Sequence, residues 1–500
     1  MSAEFLNRRQ ILKSGACVAV GTTIATLARP ISAVAQLPAN EPLHDDRVTL
    51  MTTTEGAAWQ QGTPLKPSFS WEQLNLNIDP EQIRESAQPV LGFGGCFNEL
   101  GWRSLQVLEK QDQENILHEL FDPQAGARFN YCRMPIGAND FSTAAYSYDE
   151  SDGDFELKNF SIDHDKSTQI PFIHAAQKYQ PHLRLWASPW TPPSWMKRNH
   201  FYAEAKSWPS MPDNGIRSDQ IGHEGEDFFI QEPRYFEAYA RYFGRFIDAY
   251  RAEGIDVGMV MPQNEFNSAQ NFPSCTWTPA GLTRFLRSLA PEMQKRGVDI
   301  FFGTLERGDP QLLDAILTDK DIARVIKGVG VQWAGKNALP KIHDKHPDLL
   351  IYQSEQECGD GANTWAYTGY CWQLMKHYFR NGASAYMYWN ISLEMNTPST
   401  WGWAQNSLVS VDPIAKTYRF NHDYYLMKHL THYVDLGAKS LETAGTCDNA
   451  LAFVNPDGSV AVLLRNESSL AQKVQVRVRN REVSVELPPD SIATLFEKAS

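Results

Sequence analysis

The segment GMVMPQNEFNSAQ, residues 258–270, decides how this sequence is interpreted. The apolar run 259–261 ends in a proline and is followed at once by Gln263, Asn264 and Glu265. Buried parallel strands read as short unbroken apolar runs, and barrel enzymes carry their chemistry just beyond the carboxyl ends of such strands. The segment therefore predicts a strand that ends with an amide and a carboxylate side by side in a cleft.

An Asn-Glu pair alone is a weak signal, because most such pairs lie in surface loops. It gains weight from Glu355, which also follows an apolar run, Leu349 to Tyr352. Hydrolysis of a glycosidic bond requires two such carboxylates, one that holds a proton and one that is ionised. The other strand ends add amides and tryptophans, which suit the hydroxyls and the apolar face of a sugar. The 14 tryptophans are equally compatible with ordinary core packing.

Short apolar segments alternate with longer helical segments from about residue 80 to residue 430, and this alternation predicts a (β/α)8 barrel. The predicted strands lie at 90–93, 129–134, 183–187, 257–261, 300–303, 328–333, 349–352 and 385–389. The predicted helices lie at 105–121, 169–179, 231–252, 278–296, 309–317 and 368–381.

After about residue 430 the pattern changes to strict alternation of apolar and polar residues, as in 473–478 and 483–487. The turn 455–458, Asn-Pro-Asp-Gly, joins two further apolar runs and marks a hairpin. These features predict a small antiparallel β-domain, which we expect the strand-forming residues 47–54 to join.

Residues 1–35 have the features of an export signal. The paired Arg8 and Arg9 precede a mildly apolar run, and 33–35 form an A-x-A cleavage site. This combination resembles a twin-arginine signal and predicts a periplasmic or secreted protein. A disordered basic N-terminus is the alternative, but it would not account for the apolar run and the cleavage site together.

Composition excludes several classes of function. The net charge of −13 argues against a nucleic-acid partner, whose phosphates attract basic surfaces. The body of the chain lacks an apolar run long enough to span a membrane. The 13 histidines show no metal-ligand spacing and no glycine-rich phosphate loop is present, so we expect neither a metal nor a cofactor. Six scattered cysteines beyond the signal leave free thiols and one or two disulfides both open.

Several long motifs resemble glycoside hydrolase family 30, the retaining β-glycosidases that include glucosylceramidases and β-1,6-glucanases. They are GFGGCFNE (92–99), FNYCRMPIGANDFS (129–142), ASPWTPPSWMK (187–197), Asn-Glu at 264–265 and Ser-Glu at 354–355. The resemblance covers roughly residues 85–435. It implies an α/β fold, a (β/α)8 TIM barrel with a side-fused antiparallel β-sandwich. We accordingly expect the chain to divide into four segments: 1–35 (signal), 36–78 (strand region joining the sandwich), 79–432 (barrel) and 433–500 (sandwich).

The resemblance also implies residue roles. Glu265 corresponds to the acid/base, Glu355 to the nucleophile and Asn264 to the amide that contacts the sugar 2-hydroxyl. Glu99 stands where related enzymes have an aspartate that grips distal hydroxyls, and its longer side chain departs from that pattern. Further residues fall on substrate-cleft positions: Asp140, Trp190, Trp333, Trp389 and Asn396.

Three alternatives stay open at the level of sequence: another nucleophile, another sugar and a protein without catalysis. Glu357 would share a face with Glu355 if the strand continued, although Glu355 lies nearer the end of the apolar run. The expected substrate is a β-glucoside, in a β-glucan, a glucooligosaccharide or a glucosylceramide-like lipid. A β-xyloside or β-fucoside is the alternative, and so is a carbohydrate-binding barrel without catalysis. The sequence does not indicate an oligomeric state.

Overall fold

The protein is represented by a computed structural model that describes residues 46–69 and 74–499. The predicted export signal, residues 1–35, lies outside the described residues. Among the residues that the structure describes, three strands precede the barrel: β1 (Val48–Thr54), β2 (Gln60–Gly62) and β3 (Leu74–Ile83). The predicted domain boundary between residues 78 and 79 falls inside β3.

Eight parallel strands then form a closed barrel in the order β10-β11-β4-β5-β6-β7-β8-β9. Their bounds are β4 (Gly92–Cys96), β5 (Tyr131–Pro135), β6 (Arg184–Ser188), β7 (Val257–Val260), β8 (Asp299–Leu305), β9 (Ile326–Gln332), β10 (Leu350–Glu355) and β11 (Ala383–Asn390). The eight predicted strands each overlap one of these.

Within the described residues, nine α-helices lie between the first and the last of these strands. They are α1 (Glu99–Gln106), α2 (Lys110–Phe121), α3 (Gln169–Gln177), α4 (Pro233–Ala252), α5 (Pro279–Gln294), α6 (Gln311–Leu317), α7 (Lys320–Val325), α8 (Leu339–Lys345) and α9 (Trp365–Arg380). The predicted helix 105–121 is two helices, α1 and α2, separated by a short turn.

The inside of the barrel is a packed apolar core. It contains Tyr131, Trp186, Met259, Met261, Phe301, Tyr352, Ala385 and Met387. Side chains alternate along a strand, so Arg133 on β5 and Ser188 on β6, two positions beyond the core residues Tyr131 and Trp186, project inward one layer nearer the carboxyl ends of the strands.

A small sheet and one helix follow the barrel: β12 (Ser392–Glu394), β13 (Val409–Asp412), β14 (Thr417–Phe420) and α10 (His422–Thr431). The remaining strands are β15 (Lys439–Gly445), β16 (Ala450–Val454), β17 (Val460–Asn466), β18 (Gln472–Val478), β19 (Arg481–Leu487) and β20 (Ser491–Glu497).

The β-sandwich combines strands from both sides of the barrel sequence, in the order β19-β18-β3-β15-β16-β17-β20-β1-β2. β15 pairs with β16 through Lys439 and Ser440 and with β3 through later residues, so it links the two layers. β1 pairs with β20 along all seven of its residues. The predicted fold, a (β/α)8 barrel with a β-sandwich that recruits the N-terminal strand, is confirmed.

A buried histidine joins barrel and sandwich. His429 on α10 forms hydrogen bonds of 2.9 Å with Thr53 Oγ1 of β1 and Thr494 Oγ1 of β20. Burial, assisted by the neighbouring Lys428, lowers the pKa of His429 to about 3. The junction therefore contains a neutral imidazole at ordinary pH.

The six cysteines among the described residues are buried and form no disulfide, which selects free thiols from the two open alternatives. Within the same residues, no helix combines the length and apolarity needed to cross a membrane.

Candidate active site

Glu265 is carried by a turn beyond β7, and neighbouring strands hold that turn in place. The backbone N–H of Asn264 donates to Pro189 O at 2.7 Å, and that of Glu265 donates to Thr304 Oγ1 at 2.8 Å. Glu265 itself has a φ of 47°, in the left-handed region that non-glycine residues rarely adopt. The hydrogen bonds of the turn hold the backbone in this strained conformation, and the Glu265 side chain is buried.

Glu355 is the last residue of β10 and is paired with a buried arginine. Arg133, two residues beyond Tyr131 on β5, places Nη1 2.7 Å from Glu355 Oε2. Its Nη2 donates to Asn264 Oδ1 at 2.7 Å and to Ser188 Oγ at 2.9 Å. A buried guanidinium stabilises an ionised carboxylate, as a nucleophile requires.

One amide group links the two candidate catalytic carboxylates. Gln332 Nε2 lies 3.2 Å from Glu265 Oε1, 3.2 Å from Glu355 Oε2 and 3.2 Å from Asn264 Oδ1. The Oε1 of Gln332 accepts a hydrogen bond from Ser354 Oγ at 2.9 Å, which fixes the orientation of the amide. The two carboxylate oxygens are therefore no further apart than twice 3.2 Å.

The two carboxylates differ in their surroundings. Glu355 has a cationic partner, whereas Glu265 contacts the amides of Gln332 and, at 3.5 Å, Gln270. Within the described residues, Glu265 forms no ion pair with a lysine or arginine. Such asymmetry allows one carboxylate to stay ionised while the other exchanges a proton.

Glu357 is engaged elsewhere. β10 ends at Glu355, so strand alternation does not extend to Glu357. Its Oε1 lies 2.7 Å from Lys336 Nζ, and its Oε2 accepts a hydrogen bond from Tyr370 on α9 at 2.8 Å. Both oxygens thus have partners away from Arg133 and Gln332, which favours Glu355 as the nucleophile.

Tryptophan rings surround Arg133, the partner of Glu355. Trp190 and Trp389 stack with their centroids 5.2 Å apart, and the Arg133 guanidinium lies 4.4 Å from the Trp190 centroid. Trp333 directly follows β9 and is half-buried, with a φ of 47°. Asp140 is buried in the loop after β5. These four predicted cleft residues lie at the carboxyl ends of the barrel strands.

Glu99 makes contacts that differ from those of a sugar-binding carboxylate. Its Oε1 lies 2.6 Å from His164 Nε2, and its Oε2 accepts a hydrogen bond from the backbone N–H of Thr143 at 2.9 Å. Burial raises the pKa of Glu99, but the hydrogen bonds from His164 and Thr143 outweigh it, and the net shift is downward. Protein groups thus occupy both oxygens, and a contact of Glu99 with substrate stays a prediction.

Asn396 is not part of this cluster. It lies in an exposed loop after β12 with a φ of 60°, and within the described residues it makes no contact with either candidate catalytic glutamate. Its proposed contact with substrate stays a prediction.

Arg133 and Gln332 are central to the site, but the sequence motifs assign neither of them a role. Arg133 does leave a signal, since a charged residue inside the apolar strand YCRMP can be buried only if it is paired. Gln332 leaves a weaker one, as a polar last residue after the apolar stretch Gly328 to Val331 of β9.

Residues 46–69 and 74–499 contain no cluster of three or more histidine, cysteine or acidic side chains arranged to hold a metal ion. The cluster consists of the two glutamates, Arg133, the amides of Asn264 and Gln332, and the indole rings. Carboxylates in such a cluster can serve as an acid/base and as a nucleophile.

Comparison with known proteins agrees with this chemistry. Residues 90–434 match the glycosyl hydrolase family 30 TIM-barrel domain, and residues 437–495 match the family 30 beta sandwich domain. The chain is 27% identical to the lysosomal acid glucosylceramidase of Mus musculus over 427 residues, 79% of this chain and 78% of the relative. It is 24% identical to the endo-1,6-beta-D-glucanase of Neurospora crassa over 448 residues, 85% and 87% of the two chains.

A solved structure shares the fold. SrfJ from Salmonella typhimurium superposes with a TM-score of 0.79 at 22% identity, covering 91% of this chain and 100% of the other.

Proposed function

Since the chain belongs to glycosyl hydrolase family 30 and is an O-glycosyl hydrolase, we propose that it cleaves β-glucosidic bonds with retention of configuration. The observation that carries the proposal is the pair Glu265 and Glu355, joined through the amide of Gln332. Retaining glycosidases have carboxyl groups about 5–5.5 Å apart, and inverting ones about 6.5–9.5 Å. An upper limit of twice 3.2 Å between the nearest oxygens supports the shorter spacing.

The first step forms a covalent intermediate. The Glu355 carboxylate attacks the anomeric carbon, the bond to the leaving oxygen breaks, and Glu265 gives that oxygen its proton. Arg133 holds the attacking carboxylate ionised and oriented through its 2.7 Å contact. The product that leaves is the free alcohol or shortened glycan.

The second step releases the sugar. Glu265, now ionised, takes a proton from water as the water oxygen attacks the same carbon, and the ester bond to Glu355 breaks. The Oδ1 of Asn264 accepts from Arg133 Nη2, Thr304 Oγ1 and Gln332 Nε2. This arrangement leaves the Asn264 amide N–H groups for the sugar 2-hydroxyl.

The substrate proposal rests on relatives. The glucosylceramidase and endo-1,6-β-glucanase relatives favour a β-glucosyl unit. An exported enzyme would meet glucans or glucooligosaccharides more readily than a sphingolipid. Export by the twin-arginine route is itself a proposal, supported by the features of residues 1–35 alone. A β-xyloside or β-fucoside is the alternative substrate.

A panel of aryl β-glycosides (glucoside, xyloside, fucoside and galactoside) and β-1,6-glucan tests the proposal. We expect glucoside or β-1,6-glucan turnover in the wild type, with the β-anomer as the first product by NMR. Glu355→Gln should lose about 10⁴-fold or more in kcat, as loss of a nucleophile does. Glu357→Gln is the matched control and should keep most of the activity.

Each other outcome has a definite meaning. An α-anomer as first product would refute retention. Turnover confined to another sugar would replace the substrate, and an active Glu355→Gln beside an inactive Glu357→Gln would move the nucleophile.

A further inference from the structure

Glu306 lies directly after β8 and is buried against the turn that carries Glu265. Its Oε1 accepts a hydrogen bond from the backbone N–H of Asn267 at 2.8 Å and another from Ser268 Oγ at 3.0 Å. These two residues follow closely on Glu265, whose φ of 47° needs support from its surroundings. Glu306 is therefore an anchor of the turn.

The second oxygen of Glu306 has different surroundings. Oε2 is shielded from solvent and has no hydrogen-bond partner among the described residues. An ionised carboxylate normally satisfies both oxygens when buried, because an unpartnered charge is costly there. The geometry thus suits a carboxyl group that retains its proton.

The charged groups that face Glu306 are Arg307 on its own segment and Glu265 across the turn. Arg307 Nη1 is 3.6 Å from Glu306 Oε1, but the same guanidinium bonds Glu224 through two nitrogens at 3.0 and 3.2 Å. Burial raises the pKa of Glu306, Arg307 lowers it and Glu265 raises it further, to about 8 overall. Arg307, which also pairs with Glu224, thus lowers the pKa of Glu306 by less than burial raises it.

We propose that Glu306 is a positioning residue for Glu265: a buried neutral carboxyl group that anchors the turn and keeps a second negative charge away from the acid/base. The proposal rests on the proposed function, since it takes Glu265 as the acid/base.

The neutral state matters because Glu265 alternates between protonated and ionised forms in the two steps. A like charge nearby disfavours the ionised form, which is the form that must activate water. With Glu306 neutral, Glu265 can ionise without this repulsion. Above about pH 8 Glu306 loses its proton and the two charges oppose each other.

Kinetics of Glu306→Ala and Glu306→Gln test the role. Alanine removes the acceptor of both turn hydrogen bonds, so kcat/KM should fall about 10- to 100-fold for an aryl glycoside with a poor leaving group. For a dinitrophenyl glycoside, which needs little acid assistance, the loss should stay within about threefold. Glutamine keeps the acceptor and is always neutral, so it should restore activity and remove the alkaline inflection near pH 8.

Thermal unfolding gives a readout that does not depend on activity. An unfolded glutamate titrates near 4.5 and Glu306 in the folded protein near 8. Between these values the folded state holds a proton that the unfolded state has released, so wild-type stability falls as pH rises. The Tm of Glu306→Gln minus that of the wild type should therefore grow from pH 4.5 to 8 and then level off.

The proposal would be overturned by a Tm difference that is constant with pH, or by losses in Glu306→Ala that are equal for good and poor leaving groups. If the wild type cleaved no glycoside, the proposed function would fail, and the role of Glu306 toward an acid/base with it. If the Tm difference still grew with pH in that case, Glu306 would be a neutral buried carboxyl group as proposed, and only the proposed function would be wrong.

Discussion

At the scale of single residues, Arg133 has the largest share of the contacts within the site. It bonds the nucleophile candidate Glu355, the amide of Asn264 and Ser188, and its guanidinium lies over Trp190. A buried ion pair adds little net stability when intact, but removing one partner leaves a charge without compensation. Arg133 therefore matters both for the fold and for the charge on Glu355.

We expect Arg133→Met to lower the free energy of unfolding by about 3–5 kcal/mol, as loss of one partner of a buried pair does. Activity should fall by at least about 100-fold, because Glu355 and Asn264 both lose their orientation. Urea unfolding and kcat/KM measure the two effects. Arg287→Met is the control: Arg287 pairs with Asp319 at 2.6 Å but is 66% exposed, so its removal should cost about 1 kcal/mol or less. Equal effects in the two variants would contradict the prediction.

The choice between Glu355 and Glu357 shows where sequence reasoning ends at this scale. The residue types, the apolar run and the motif confine the candidates for the nucleophile to three residues, 355–357. Which glutamate faces the barrel depends on where β10 ends, and that is set by its pairing with β9, where Glu355 lies opposite Gln332. Pairing between strands is a tertiary property that a single sequence does not contain.

At the scale of elements, Asn98 connects a helix to the end of a barrel strand. Its Oδ1 accepts a hydrogen bond from the N–H of Gly101 and so caps α1, while its Nδ2 donates to Asn390 Oδ1 at 3.0 Å. Asn390 directly follows Trp389 on β11. One side chain thus fixes the helix start and the strand end that carries a cleft tryptophan.

Asn98→Ala should lower the free energy of unfolding by about 1 kcal/mol through the lost cap. It should also lower kcat/KM roughly tenfold, because Trp389 loses part of its support. Thr364→Ala removes only the cap of α9, a 3.3 Å bond to the N–H of Tyr367, and is the matched control. Thr364→Ala should lose a similar amount of stability but keep its activity. Identical kinetics in the two variants would refute the connection from Asn98 through Asn390 to Trp389.

The elements predicted correctly are those with strong local patterns. Each barrel strand contains a short, largely apolar run, and long helices such as α4 show clear periodicity. The short helices α7 and α8 lie outside the predicted helices, since six or seven residues carry too little periodic signal. β3 contains Pro80 and alternates with exposed polar residues, so it does not resemble a barrel strand.

At the scale of the whole molecule, one face of the sandwich packs against the barrel, while the sandwich interior forms a separate apolar cluster. Leu451, Phe453, Leu463 and Ile492 of the sandwich belong to the same cluster of buried side chains as the barrel helices. His429 lies at this junction, where it accepts or donates hydrogen bonds as a neutral ring.

Acid should weaken this junction through His429. Its pKa is about 3 in the folded protein against 6.5 for an ordinary histidine, so the unfolded chain binds a proton first as pH falls. The free energy of unfolding is therefore highest above pH 6.5, where His429 is neutral in both states, and it falls progressively as the pH is lowered from 6.5 to 3. His429→Gln should flatten this fall in calorimetric Tm. Exposed His174→Gln is the control, and the same flattening there would contradict the assignment.

The position of β20 between β17 and β1 has a consequence for biosynthesis. A ribosome makes β1 early and β20 late, with every barrel strand in between. Until residues 491–497 have left the exit tunnel, β1 can pair only with the three-residue β2, and the nascent sandwich stays open along one edge. The sandwich of a newly made molecule can therefore close only after β20 has been synthesised, although both candidate catalytic glutamates precede it in the chain by more than a hundred residues.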